Sequence, residues 1–304
     1  MAVLQDDPRE SFGPMPRKGQ GRRNLFRLFT NLIRPVNLGI IVLTQYMAAV
    51  FLAGDAGEWK RFLFDPDLFL ISLSTVCIAA AGYIINDYYD VKIDYINKPE
   101  KVVIGREITR RKAMLAHTML NFAGVAMAIL VSWQIGLVHL TSSFLLWLYS
   151  NQLKRVAFIG NFTVALLTSA SLLVIAIQYP FHPFLITTYA IFAFSITLVR
   201  EIIKDLEDVR GDMKFGCRTL PIVWGLRRTK SLLYVLCGLF IFIMFYMASY
   251  LQNTVLNIYF ILLIAPMAVL IYKLVYADTR KKFGILSAYC KLMMLSGILS
   301  MMFF

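Results

Sequence analysis

A succession of long apolar runs leaves this chain few folds to adopt. They extend from Leu32 to Leu52, Leu68 to Ile85, Ala113 to Trp133, Ile135 to Leu148, Ala157 to Ile177, Phe184 to Val199, Ser231 to Leu251, Val255 to Val275 and Phe283 to Phe304. Crossing hydrocarbon takes ~20 predominantly apolar residues, and polar but uncharged neighbours complete the shorter runs. With 59% hydrophobic and 16% charged side chains in 304 residues, the polar surface is too small to cover a water-soluble globule. Backbone within a bilayer must satisfy its hydrogen bonds inside each segment. The expected fold is therefore all-α and polytopic, with about nine transmembrane helices. Glycines such as Gly39 and Gly82 are expected where helices pack closely.

Lys and Arg alternate between the connecting segments. Arg17, Lys18, Arg22, Arg23, Arg27 and Arg34 precede the first run, and the second loop carries Lys92, Lys98, Lys101, Arg106, Arg110, Arg111 and Lys112. Lys154 and Arg155 mark the fourth loop, residues from Lys204 to Lys230 the sixth, and Arg280, Lys281 and Lys282 the eighth. The odd loops are nearly bare apart from Lys60 and Arg61. The positive-inside rule then sets the N-terminus in the cytoplasm and the C-terminus outside. This topology accounts for the net charge of +13 without nucleic acid as a partner.

Residues 1–24, with Asp6, Asp7, Pro8, Pro14 and Pro16, read as a disordered cytoplasmic arm, and 25–304 as one transmembrane domain. The arm shows no apolar h-region before a cleavage site, so the first span is expected to be a permanent anchor. Cys77, Cys217, Cys237 and Cys290 are scattered and read as structural. His117, His139 and His182 are equally isolated, and packing is the reading for each.

Two stretches stand out against this background. Asn86-Asp-Tyr-Tyr-Asp-Val-Lys-Ile-Asp94 and Lys204-Asp-Leu-Glu-Asp-Val-Arg-Gly-Asp212 share the pattern D-x-x-D-V-[K/R]-x-D, each at the end of an apolar run. An even number of spans separates them, so both face the same side, as an internal duplication with parallel halves would arrange them. Positions i, i+3 and i+7 share a helical face, so Asp87, Asp90 and Asp94 converge if the helix persists past Asn86. Asp205, Asp208 and Asp212 repeat the geometry, although Gly211 is expected to loosen the last turn. Glu207 lies off that face and reads as solvated.

Like charges on one helical face repel, and near hydrocarbon an ionised carboxylate costs several kcal/mol unless neutralised. Mg²⁺ is the natural partner, since it prefers oxygen ligands and bridges carboxylates to substrate phosphates. Two such clusters face to face would hold about two ions around a diphosphate. Solvated caps balancing nearby lysines would explain a single D-x-x-D, but not a matched pair of triplets. Cations are interleaved: Lys154 and Arg155 follow Tyr149-Ser-Asn-Gln-Leu153, and Lys204 precedes Asp205. These can take phosphate oxygens, although topology alone would also place them there. Arg34 and Asn37 open the first span, where helix–helix hydrogen bonding competes with a role for Asn37 in the site.

These motifs, with Arg34-Pro-Val-Asn37 before them and Tyr149-Ser-Asn-Gln-Leu-Lys-Arg155 between, resemble the UbiA superfamily of intramembrane prenyltransferases. Arg200 to Asp212, followed by Arg218-Thr-Leu-Pro221, looks most like its geranylgeranylglycerol-phosphate geranylgeranyltransferase group. After Ile96-Asn-Lys-Pro99 the family's Pro-rich turn is replaced by Lys101-Val-Val-Ile-Gly105. The resemblance implies a UbiA-like bundle whose central cavity opens to the cytoplasm. There a prenyl group, geranylgeranyl in that group, would pass from an allylic diphosphate to a lipid-soluble acceptor.

The resemblance gives the aspartates Mg²⁺ to hold, with Asp87, Asp90, Asp208 and Asp212 closest to catalysis. Asn86, Tyr149, Lys154, Arg155, Lys204, Arg34 and Asn37 would bind substrate. A prenylglycerol phosphate is the first choice of acceptor, and its phosphate would need its own cations among Arg34, Arg218 and Lys98. An aromatic quinone-type precursor is the alternative. A divalent-cation or lipid transporter is the rival of a different class, although both clusters lie at span ends and transporter sites tend to sit at the midplane.

Overall fold

The computed structural model of this chain describes residues 32–54, 57, 59–97, 102–251 and 254–304. The N-terminal arm at 1–24 and Lys98 fall outside the described residues. Helices α1 (Pro35–Met47, continued by a wider π turn over Ala48–Ala53), α2 (Trp59–Leu63), α3 (Pro66–Asn97) and α4 (Arg110–Val131) come first. They are followed by α5 (Trp133–Asn151), α6 (Ile159–Gln178), α7 (Pro183–Lys214), α8 (Leu220–Leu251), α9 (Thr254–Val275) and α10 (Arg280–Leu299). Among the described residues the only β pairings are isolated bridges, so the fold is all-α.

Local chemistry explains where the helices begin. Pro35 and Pro183 occupy first-turn positions of α1 and α7, where the missing N–H costs nothing. Thr109, Ser132 and Thr279 cap α4, α5 and α10, each accepting a first-turn backbone N–H on its side-chain oxygen. The bend of α8 falls at Gly225, whose φ of 76° suits glycine.

Seven helices among the described residues are long and apolar enough to cross a membrane. The sequence expectation was about nine. Trp133–Asn151 is helical over its full length, but Gln134, His139, Thr141, Ser142 and Ser143 dilute its apolar character. The apolar part described for α9 is the shorter Ile261–Val275.

Three buried clusters hold the bundle. Ile202, Leu233, Leu270 and Leu286 join α7, α8, α9 and α10. Ala48, Ala49, Leu172, Ile175 and Ile186 pack the π turn of α1 against α6 and α7 at the far end, the small alanines allowing the wider turn to seat closely. Leu32, Ile84, Val91, Val102 and Ile104 anchor the segment after α3. Fully burying an aliphatic side chain of this kind stabilises by about 1.5–3 kcal/mol in water; within a lipid phase the gain comes from close packing instead. Gly82 meets that need, since a Cβ there would lie 2.9 Å from Leu146 on α5. Gly39 does not: it is exposed, with nothing within 4 Å of a Cβ. At the far end Tyr179 donates to Asp65 at 2.7 Å and Gln178 to Asp67 at 2.9 Å, tying α6 to the start of α3.

Candidate active site

The two motifs sit on helices that do not stop where the apolar runs stop. α3 continues past Asn86 to Asn97, and α7 passes through Gly211 to Lys214, so both aspartate triplets keep helical register. Gly211 therefore does not loosen the turn; its carbonyl accepts from the capping Phe215 N–H at 3.2 Å. Lys92 and Arg210, between the last two aspartates of each motif, are exposed. All six aspartates line one cavity of about 1010 Å³ that runs into the bundle.

Carboxylates near a helix C-terminus oppose the macrodipole as well as one another. Each motif therefore needs positive charge from elsewhere. Arg34 donates to Asp87 at 2.6 Å, and Lys154 donates to Asp90 in a pair whose side chains are only 10% and 13% exposed. Arg34 reaches across because its backbone is left-handed, with φ 55° at the start of α1. Asp205 receives a neutral donor instead, the Asn161 amide of α6 at 2.9 Å. The cations on its own helix are engaged elsewhere: Arg200 and Lys204 both hold buried Glu201, each at 2.7 Å. Opposite them, Lys291 of α10 donates to Asn37 at 2.9 Å.

Lys154 rides on a short 3₁₀ turn, Leu153–Arg155, stitched to the segment that follows the second motif. The Arg218 N–H donates to the Arg155 carbonyl at 2.8 Å, and the Cys217 N–H to the Asp212 carbonyl at 2.9 Å. Gly216, with φ 69°, makes the turn between them. Gly160 lets α6 close over that turn, since a Cβ there would sit 2.8 Å from the Lys154 Cα.

Of the residues expected from sequence, the aspartates, Arg34, Asn37, Asn86, Tyr149, Lys154 and Lys204 line the cavity. Arg155 and Arg218 do not. Their side chains are exposed, and their backbones make the stitch just described. Glu207, expected to be solvated, is half-buried beside Gly284 of α10. Glu201, Arg200 and Lys291 line the cavity too, and Asn161 bonds Asp205 beside it, beyond the residues that the sequence pattern marks. Asn161 and Lys291 lie inside apolar runs, where a polar side chain is costly enough to mark a functional position. His117 and His139 are buried and bonded to the Ala81 and Ile135 carbonyls, each at 3.0 Å, as packing residues.

Among the described residues, no three His, Cys, Asp or Glu side chains are gathered closely enough to hold a metal ion as they stand. Two of the carboxylates are instead drawn to Arg34 and Lys154. The donor set itself is all hard oxygen, without sulfur or imidazole, on the wall of a polar cavity end, and that chemistry fits Mg²⁺ better than a soft metal.

Residues 41–294 match the family model described as the UbiA prenyltransferase family. The digeranylgeranylglyceryl phosphate synthase of Thermococcus gammatolerans is 36% identical over 202 residues, covering 66% of this chain and 71% of the relative. The enzyme of the same name from Methanosphaera stadtmanae is 28% identical over 90% of this chain and 97% of its own. A solved structure described as a digeranylgeranylglyceryl phosphate synthase superposes with a TM-score of 0.65 at 22% identity, over 91% of this chain and 96% of that one. A UbiA homologue from Archaeoglobus fulgidus, bound to GPP and Mg²⁺, superposes with a TM-score of 0.62 at 16% identity, over 90% and 99%. The aspartate pair, the shared cavity and the match across most of the chain agree: this protein belongs to the UbiA prenyltransferase family.

Proposed function

We propose that this prenyltransferase moves a geranylgeranyl group from its diphosphate to the free hydroxyl of geranylgeranylglyceryl phosphate, forming an ether, with Mg²⁺ as cofactor. The observation that carries the reading is the single cavity lined by both aspartate motifs and by five cations, Arg34, Lys154, Arg200, Lys204 and Lys291. The names of the relatives support the acceptor, and the A. fulgidus homologue bound to GPP and Mg²⁺ supports the donor and the metal.

In the reaction the allylic C–O bond breaks and diphosphate leaves with the bonding pair. The acceptor oxygen then attacks the allylic carbon, and its proton passes to the released diphosphate. Mg²⁺, when held by oxygens of Asp87, Asp90, Asp94, Asp205, Asp208 and Asp212, supplies positive charge to the departing diphosphate. Arg34 and Lys154, released from Asp87 and Asp90, are placed to take phosphate oxygens. Tyr149 and Asn86 border the same end of the cavity, and Phe192, Phe240 and Met244 line its apolar remainder. That lining excludes water from an allylic cation and offers aromatic faces to its charge.

The distribution of basic residues supports an aspartate end that faces the cytoplasm, which one-sided thiol labelling of Arg218→Cys checks. The activity test is the purified chain with labelled geranylgeranyl diphosphate, each acceptor in turn, and Mg²⁺ or a chelator. Ether formation that stops on chelation is expected. Ring alkylation of an aromatic acceptor without ether formation overturns the choice of acceptor. Divalent-cation flux into liposomes, unaffected by prenyl diphosphate and without product, overturns the enzyme reading.

A further inference from the structure

Charge in the cavity is not spread evenly. Arg34 and Lys154 are matched one to one with Asp87 and Asp90. Arg200, Lys204 and Lys291 share a different region, where, among the described residues, the one carboxylate bonded to them is Glu201. Lys291 is bonded to a neutral amide, Asn37, while Arg200, Lys204 and Arg34 act on it as like charges and Glu201 as the opposing one. Three cations against Glu201, with Asp205 acting on Lys204 from the next position of α7, leave one positive charge over in a partly buried wall, and such a charge is costly without an anion.

Donors are also left over. The Arg200 Nε–H is buried and has no hydrogen-bond partner, and an ammonium has three N–H groups, of which one at Lys291 goes to Asn37. A buried unsatisfied donor is costly, so its persistence here calls for an acceptor that arrives with a ligand. A phosphomonoester fits, with a charge of about −1.5 to −2 at pH 7 and three acceptor oxygens.

Arg200 lies deeper than the diphosphate-binding end, while Lys204 borders that end beside Asp205. Arg200 precedes Asp205 by five residues on α7, about 7.5 Å farther into the bundle at the helical rise. Asn37 and Lys291 face it from α1 and α10.

We propose that Lys291, Arg200 and Asn37, with Lys204, form a separate subsite for the phosphomonoester headgroup of the acceptor lipid. The inference rests on the acceptor reading given above and deepens it. Two phosphate groups would then be held by different residues in one cavity: the diphosphate by the aspartates with Arg34 and Lys154, the monoester by the α7–α10–α1 wall. Ether formation would be selective because only a lipid with a phosphate at the right distance from its hydroxyl engages the monoester subsite while that hydroxyl reaches the allylic carbon.

The test is steady-state kinetics of the purified full chain in neutral-lipid nanodiscs, with geranylgeranylglyceryl phosphate and with its dephosphorylated alcohol. Lys291→Met is expected to raise the KM for the phosphorylated acceptor on the order of thirtyfold, while the KM for geranylgeranyl diphosphate moves less than about twofold. Lys291→Arg should recover part of the loss, and the alcohol should be used equally by wild type and Lys291→Met. Equal loss with both acceptors, a matching rise in donor KM, or no change in acceptor KM overturns the subsite. A second arm adds anionic phosphatidylglycerol to the nanodiscs. Competition with the acceptor in wild type that disappears in Lys291→Met, with the alcohol equally affected, assigns the site to bulk lipid and overturns the proposal. If wild type forms no ether from this acceptor, the functional reading has failed independently of any variant.

Discussion

The two aspartate motifs share a sequence pattern but not an environment. In the first, Asp87 and Asp90 are clasped by cations from other elements, Arg34 and Lys154. In the second, Asp205 accepts from the neutral Asn161 amide, and nearby Arg200 and Lys204 are held by Glu201. Duplication of a ligand pattern therefore did not duplicate its charge balance. The first motif is arranged to exchange a cation for a ligand, and the second to keep Asp205 against a neutral partner.

The comparison breaks most sharply at the carboxylates. Asp87→Ala or Asp208→Ala removes a carboxylate from the set that would hold Mg²⁺, and Mg²⁺-dependent turnover is expected to fall by about 10³-fold or more. Both proteins should remain folded by circular dichroism. Retained activity in both would remove the aspartates from the chemistry, and loss in one alone would make the repeat asymmetric in function as well as in surroundings.

Lys154→Met is the next largest effect. Truncating one partner of a buried charged pair costs about 2–5 kcal/mol, so the donor kcat/KM should fall on the order of a hundredfold. The loss should lie mainly in the KM for prenyl diphosphate. An equal loss in kcat, with donor KM unchanged, would show that Lys154 serves only to neutralise Asp90. Asn161→Ala tests the other side: a hydrogen bond to a charged group contributes about 1.5–3 kcal/mol, and a drop of about tenfold is expected. Asn161→Asp should do worse, because it sets a second carboxylate against Asp205. If Asn161→Ala matched Lys154→Met in size and in its effect on donor KM, the proposed difference between the motifs would vanish.

Legibility in the sequence followed the same divide. The helical fold and the aspartate register could be read because hydropathy and the three- and seven-residue spacing are local properties. Arg34 and Lys154 were in reach for a related reason, as basic groups next to apolar runs. Lys291 and Asn161 were passed over although each is a polar residue inside a span, because long apolar stretches hide a single exception. Arg155 and Arg218 show the converse. They share the charge and neighbourhood of Lys154, but which way a side chain faces in a loop depends on backbone pairing between segments some 60 residues apart that no local pattern reveals. Glu201 was invisible for another reason: it lies in a run with Arg200 and Lys204, and only packing shows that it takes up both.

The smallest expected effect concerns the turn that aims Lys154. Gly160 touches it so closely that a methyl group would stand 2.8 Å from the Lys154 Cα and 2.9 Å from the Leu153 carbonyl oxygen. Both atoms belong to backbone, so Gly160→Ala must displace the turn instead of a flexible side chain. The stitch between Arg155 and Arg218 resists that movement and limits it. A loss of about threefold in donor kcat/KM is expected, in the same direction as Lys154→Met. The double variant with Lys154→Met decides the matter: if the turn acts through Lys154, Gly160→Ala costs nothing further once that ammonium is gone. A full threefold loss on top of Lys154→Met would mean that α6 positions something else at the mouth of the cavity, and that the asymmetry between the motifs does not run through this lysine.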